Sequence, residues 1–229
     1  MPTTQRALSP SEGNDALGGI PEILYFDFQS RGRGQAVRLL LEDAQIAYDD
    51  TRYSFPEYPE WKETGLAKLN PVKTIPVVKL NGKILTQSYA ILRHFARVLG
   101  KYGGQSEDEE YWIDAITDVV SDWRTLFLAA FLNPNQQETY PKHQEGDRKR
   151  FLEGIQSHLA THDSKSGSFI LGQNFTYADI VLYQILHDEN LTQEGGKGLQ
   201  EYPRLKALVN ATEERPNIKA FLASDRYRG

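Results

Sequence analysis

The residues best suited to chemistry fall in three stretches: Tyr25-Phe26 with Arg31-Gly32-Arg33 close behind, Lys73-Thr74-Ile75-Pro76, and Gln87-Ser88. A proline set directly after a β-branched pair is unusual in a sheet, because it has no N–H to give a central ladder. Val77 to Leu80 nevertheless reads as a strand. Asn81-Gly82 reads as a two-residue type I′ turn, whose central positions both need φ > 0, and Lys83 to Thr86 as the returning strand. Two readings fit the proline. Pro76 starts an edge strand. Alternatively, the Ile75–Pro76 bond is cis and turns the backbone N–H and C=O of Ile75 outward, where a ligand with a peptide backbone would pair as an added strand. Ser88, opening a helix, is an N-cap or part of a carboxylate site at free N–H groups. Tyr25, at the end of the short apolar strand Ile23-Leu24-Tyr25-Phe26, reads on its own as core packing.

The 229 residues include no cysteine, which excludes disulfides, thiolate metal sites and a cysteine nucleophile. Sulfur chemistry would have to use a thiol supplied by the ligand. Among the five histidines only His158 and His162 share a helix at i, i+4, and no carboxylate motif joins them, so no metal is expected. A net charge of −5, with no basic run interleaved with aromatics, excludes nucleic acid as a partner. The apolar runs are too short for a membrane span.

The elements that must position these residues follow from periodicity. Residues 1–20 are rich in Pro, Ser, Thr and Gly; a disordered tail is expected, with no secretory signal core and hence a cytoplasmic location. Strand 23–26 leads through the polar loop 27–34 to a helix carrying Ala36, Val37, Leu40, Leu41 and Ala44, then to a strand over 48–53. Residues 54–72 read as loop with one short helix, and the hairpin is followed by a helix from Ser88 to Leu99. Together these form an α/β unit over 21–99. The glycine-rich stretch 100–106 is a linker, and residues 107–229 read as an all-helical domain. Within that domain Thr176 and Asp179 make a capping box flanked by Phe175 and Ile180, and Pro216 opens the last helix.

Taken in order, these motifs resemble those of the cytosolic glutathione S-transferases, over nearly all of the chain outside the tail. The first unit is similar to their thioredoxin-like domain and the second to their all-helical C-terminal domain. Tyr25-Phe26 and Arg31-Gly32-Arg33 are similar to the tyrosine-type classes (alpha, pi, sigma), while Asn70-Pro71 through Thr74-Ile75-Pro76 is similar to delta and theta enzymes, which use a serine. The class, sigma-like or fungal included, stays open.

The resemblance implies glutathione as co-substrate and a role for each candidate. Gln87 and Ser88 would hold the γ-glutamyl end, with Asp114 reaching its amine from the neighbouring subunit of a homodimer. Thr74, Ile75 and Pro76 would form the ledge for the cysteinyl part. Lys73 and Trp61 would serve the glycyl carboxylate; position 65, where the family has a lysine after this tryptophan, is glycine. The Tyr25 hydroxyl would donate to the sulfur. A free thiol has a pKa of about 8.5, and such a donor lowers it by stabilising the thiolate. Tyrosine-type enzymes have a shorter connection before Arg-Gly-Arg than Asp27-Phe28-Gln29-Ser30 gives here, so Ser30 is the second candidate for activating the thiol, and Arg31 would add positive potential. Phe28, Tyr111, Trp123 and Phe127 would line the acceptor pocket.

The implied activity is addition of the glutathione thiolate to an electrophilic, apolar small molecule, in detoxification or secondary metabolism. A glutathione-dependent isomerase, a tailoring enzyme and a non-catalytic scaffold of the same fold are the alternatives. The lack of cysteine removes a dithiol redox enzyme.

Overall fold

The parallel pairing of two strands demands a crossover, and the helix Arg33–Asp43 between them supplies it. In the computed structural model, which describes residues 2–161 and 166–228, so that His162 lies outside the described residues, the chain divides into two compact units. The first comprises Met1–Lys101 and Glu213–Gly229. Its elements in chain order are β1 (Thr3–Ala7), α1 (Glu12–Leu17), β2 (Glu22–Phe26), α2 (Arg33–Asp43), β3 (Tyr48–Tyr53), α3 (Tyr58–Trp61), α4 (Ala67–Leu69), β4 (Val77–Leu80), β5 (Lys83–Thr86) and α5 (Ser88–Leu99). The sheet order is β1-β3-β2-β4-β5. β2 and β3 are parallel, and the other neighbours are antiparallel.

The central strands bury Ile23, Leu24, Val77 and Val78 completely or nearly so. α2 packs against α5, and these helices bury Val37, Leu40, Leu41, Ile91, Leu92 and Phe95. Asn81 (φ 48°) and Gly82 (φ 74°) both take the left-handed backbone that a I′ turn requires. Residues 58–69 hold more helix than the sequence suggests: α3 passes through a π-helical turn, Lys62–Leu66, directly into α4.

Two expectations are corrected. Residues 3–17 are structured rather than a disordered tail. β1 runs along the outer edge of β3, from Thr3 opposite Arg52 to Ala7 opposite Tyr48. Ser11 and Asn14 form a capping box at α1, and buried Asn14 also bonds the backbone of Ala47, accepting its N–H at 3.0 Å and donating to its C=O at 2.8 Å. The β1 ladder, side-chain bonds from Thr4, Arg6, Ser11 and Asn14, and only two buried apolar residues, Ala7 and Leu17, hold this segment, so its low apolar content gave no warning.

The second correction concerns the C-terminus, which does not end in the helical domain. The final segment with α12 (Pro216–Leu222) belongs to the first unit, where α12 packs on α2 and buries Ile218 and Phe221. Arg215 forks onto Asp43 at 2.9 and 2.7 Å, and Arg226 onto Glu42 at 2.9 and 3.0 Å. Paired N–H donors on paired carboxylate oxygens fix orientation as well as distance.

The second unit, Tyr102–Thr212, is helical: α6 (Glu107–Phe131), α7 (Gln136–His143), α8 (Lys149–Thr161), α9 (Tyr177–Asp188), α10 (Gln193–Gly196) and most of α11 (Pro203–Glu213). α9 is buried along its whole length and packs on α6. Its start is fixed by the Thr176–Asp179 capping box, in which Asp179 accepts from the Thr176 N–H and hydroxyl and from the Ile170 N–H, each at 2.8 Å.

Candidate functional site

Strand register gathers the candidate residues of the first unit at one end of the sheet. β2 and β4 pair with Leu24 opposite Val77, and β4 and β5 with Val77 opposite Thr86. Continuing each register by one residue sets Pro76 between Tyr25 and Gln87. The Ile75–Pro76 peptide bond is cis. The main-chain N–H and C=O of Ile75 have no hydrogen-bond partner among the described residues. A backbone with both groups unpaired beside a strand is an edge to which another strand can add.

Tyr25 is buried, and its ring lies on the first turn of α2. An ideal Cβ at Gly34 would stand 2.4 Å from Tyr25 Cγ, and one at Gly32 would stand 2.5 Å from the hydroxyl, so glycine at both positions makes room for the ring. The hydroxyl oxygen accepts the Arg33 N–H at 3.0 Å. A donor at the oxygen polarises a phenol toward giving up its proton.

The longer connection before Arg31 does not displace Tyr25, because it is folded and tied down. Phe28 and Ser30 form a local bridge. Arg52, buried in β3, donates from Nη1 to the Gln29 carbonyl at 3.1 Å and from Nε to Asp50 at 2.7 Å. Asp50 also takes three bonds from the wholly buried Arg38 at 2.8–3.1 Å. Burial pushes the Asp50 carboxyl up, but the two guanidiniums outweigh it and hold it below its ordinary value. This network was not legible as a site feature; the arginine in α2 and the Asp-x-Arg of β3 are unremarkable until the fold joins them.

Ser30 is wholly buried. Its hydroxyl accepts the Arg228 N–H at 2.8 Å and its own N–H donates to the Arg228 C=O at 3.2 Å, so it serves as an anchor for the C-terminal segment. That engagement counts against Ser30 as the group that activates a thiol. Arg31 is half-buried, with its N–H on the Phe28 carbonyl.

The N-cap of α5 is Gln87, exposed and at φ 68°, so Ser88 is the first helical residue rather than the cap. No side chain caps this helix. The Ile91 N–H makes the first helical bond to the Gln87 carbonyl, which leaves the N–H groups of Ser88, Tyr89 and Ala90 facing the same end of the sheet. Positive partial charge there suits a carboxylate.

On the other side of Pro76, Trp61 stacks on Tyr53 (3.8 Å between centroids) and packs with Ile75 against Leu24, Leu66 and Val77. A Cβ at position 65 would stand 2.5 Å from Trp61 Nε1, which accounts for glycine there. Lys73, at φ 56°, pairs with Glu63. Asn70, missed in the sequence, holds the loop in shape: it is buried, donates to the Thr74 C=O and hydroxyl at 2.8 and 3.1 Å, and accepts the Val72 N–H at 3.2 Å. The left-handed backbones at Lys73 and Gln87, flanking Pro76, are the kind of strain that collects where a ligand is held.

In the second unit, Asp114 accepts a hydrogen bond from the Tyr177 hydroxyl and is half-buried. Trp123 and Phe127 are corrected as pocket walls. Trp123 is wholly buried, stacks on Phe151 and donates its indole N–H to Glu189 at 2.7 Å; Phe127 is buried against Phe131 and Tyr140. Their helical spacing reflects core packing. Tyr111 is 63% exposed, with its ring edge-on to Trp112. Phe28, in the first unit, meets Phe55 edge-on.

Comparison with known proteins agrees with the fold. The family described as "Glutathione S-transferase, N-terminal domain" matches residues 21–97, and "Glutathione S-transferase, C-terminal domain" matches residues 121–225. Glutathione S-transferase P 10 of Caenorhabditis elegans is 30% identical, over 89% of this chain and 90% of its own length. Glutathione S-transferase Mu 3 of Homo sapiens is also 30% identical, over 89% of this chain and 88% of its own. Among solved structures, a pi-class glutathione S-transferase of Onchocerca volvulus superposes with a TM-score of 0.76 at 23% identity, over 88% of this chain and 91% of its own. A Caenorhabditis elegans glutathione S-transferase superposes with a TM-score of 0.73 at 28% identity, over 92% and 98%.

Proposed function

The chain belongs to the glutathione S-transferase family and is a glutathione transferase with glutathione as its co-substrate; on that premise we propose that Tyr25 activates the thiol and that the end of the sheet around Pro76 holds the tripeptide. The observation that supports the proposal is that the strand register sets Tyr25, the unpaired Ile75 backbone and the uncapped N-terminus of α5 at one end of the sheet, on either side of one proline. In this reading the cysteinyl backbone pairs with Ile75 as an added strand. The γ-glutamyl carboxylate meets the first N–H groups of α5 with Ser88 and Gln87. Lys73 and Trp61 face the glycyl end. Tyr25 donates its hydroxyl hydrogen to the sulfur, so the thiol releases its proton to water at lower pH. The thiolate lone pair then forms the S–C bond to an electrophilic, apolar small molecule, and the displaced pair leaves with a departing anion or takes a proton from water.

The proposal includes a homodimer in which the partner's Asp114 reaches the γ-glutamyl amine. It also includes a cytoplasmic location; among the described residues no helix is long and apolar enough to cross a membrane. Retention on immobilised glutathione together with a conjugation assay tests it. Binding and turnover are expected. Binding without turnover would favour a scaffold or a narrow biosynthetic substrate, and no binding would refute the site. A monomer in solution would remove Asp114 from it.

A further inference from the structure

A cavity in the first unit is built from residues 3–7, β3 and residues 226–228. It measures about 270 Å³ and is lined by Thr3, Thr4, Gln5 and Ala7 of β1, Tyr48, Asp50 and Arg52 of β3, and Arg226 and Arg228. Its lining mixes polar groups with apolar surface from Ala7, the Tyr48 ring and the aliphatic parts of the threonines and arginines, and the Tyr48 hydroxyl is turned to Glu42 at 3.0 Å. The space falls just below the range of drug-sized pockets, roughly 300–1,000 Å³, yet far exceeds the ~30 Å³ share of one water.

The donors point to the occupant. Arg52 spends Nε on Asp50 and Nη1 on the Gln29 carbonyl; Nη2 bonds no described residue, although the side chain is 5% exposed. Arg226 uses Nε and Nη2 on Glu42, which leaves Nη1, and Arg228 uses Nη1 on Asp27, which leaves Nε and Nη2. The ion pairs around the cavity join four guanidiniums (Arg38, Arg52, Arg226 and Arg228) to three carboxylates (Asp27, Glu42 and Asp50). Among these paired residues one positive charge is in excess, although Asp225 also acts on Arg226. Asp225, beside Arg226 in the chain, is exposed and does not line the cavity. Burial, and then repulsion from Arg38 and Arg228 working against attraction to Asp50, leaves the Arg52 pKa below its ordinary value. A buried guanidinium with spare N–H groups beside other cations is the setting in which an oxyanion removes both a desolvation and a repulsion penalty.

We propose that this cavity binds a small oxyanion, a phosphate or a dicarboxylate, held by Arg52, Arg226 and Arg228. None of these arginines belongs to the glutathione site, and the proposal does not depend on that site. The test is calorimetric titration of the full chain with inorganic phosphate, and separately with succinate, at low ionic strength because salt screens the attraction. S-methylglutathione is kept in excess so that carboxylate positions at the α5 terminus are filled. One saturating equivalent of at least one anion per chain is expected, and the anion that saturates identifies the source. Arg226→Gln and Arg228→Gln should each weaken binding roughly tenfold or more, as expected for losing a charged donor; Lys149→Gln, in the other unit, should not. As a second readout on the unaltered protein, the backbone amide signals of Thr3 and Thr4 should shift with the same saturation curve. No saturable heat for either anion, or equal affinity in all three variants, would overturn the proposal.

Discussion

Replacing Tyr25 by Phe separates the hydroxyl from everything else the side chain does. The ring sits where any Cβ at Gly34 would touch it, and Phe occupies the same space, so packing against α2 is kept. What is lost is an oxygen that accepts the Arg33 N–H at 3.0 Å and, in the proposed mechanism, donates to the glutathione sulfur. At the start of α2 water can replace the first bond. The second is a hydrogen bond to a developing anion, worth about 1.5–3 kcal/mol. At 1.36 kcal/mol per unit, that raises the bound thiol pKa by roughly one to two units and slows conjugation near neutral pH by about 10- to 150-fold. The assay is the pH dependence of kcat/KM at a fixed electrophile, with the thiolate followed independently by its ultraviolet absorbance. Tyr25→Phe should shift the ionisation upward and approach the parent rate at alkaline pH, where the thiol ionises unaided. Ser30→Ala should instead lower the melting temperature, since it cuts the tie to Arg228, and leave the ionisation in place. An unmoved profile in Tyr25→Phe, or the shift appearing in Ser30→Ala, would refute the reasoning.

Asn70→Ala removes two donors from Thr74 and an acceptor from Val72; it should cost about 1–3 kcal/mol of stability and raise KM for glutathione more than it changes kcat. An unchanged KM in a folded variant would count against the loop as a ligand support. Stability should depend on pH with opposite signs in the two units. The Asp50 carboxyl is held low by Arg38 and Arg52, so its contribution is present above about pH 4 and is lost as pH falls through its lowered native value. Burial, against three accepted hydrogen bonds, raises Asp179 to about 6, so the native chain keeps a proton the unfolded chain has released, and stability falls as pH rises from about 4 to about 6. Urea midpoints between those values should decline in the parent and flatten in Asp179→Asn; equal slopes would contradict the assignment.

What the sequence revealed was local. Asn81-Gly82 needs only its own two backbones, the Thr176–Asp179 box spans one helical turn, and Ile75-Pro76 announces itself by an absent N–H. Each carries its physics within a few residues. What it hid is held by partners distant in the chain: β1 by the edge of β3, Ser30 by Arg228, Asp43 by Arg215, and the Arg38–Asp50–Arg52 network by the reach of Arg38 from α2 to Asp50 on β3. Trp123 and Phe127 show the converse error. Helical periodicity marks an inward face, but it does not distinguish a pocket wall from a packed core, and the Glu189 partner of Trp123 lies far along the chain.

That the first unit draws on both chain ends bears on how the protein is made. Residues 1–101 leave the ribosome first, but α12 and the arginines that fork onto Asp43 and Glu42 come after Tyr102–Thr212. At about 5–20 residues per second, that intervening stretch takes roughly 6–20 s to translate. The nascent glutathione-binding half therefore waits with the α2 surface that α12 will cover still open. A substitution that loosens α12 or the Arg226 fork would strike the half of the molecule that was synthesised first.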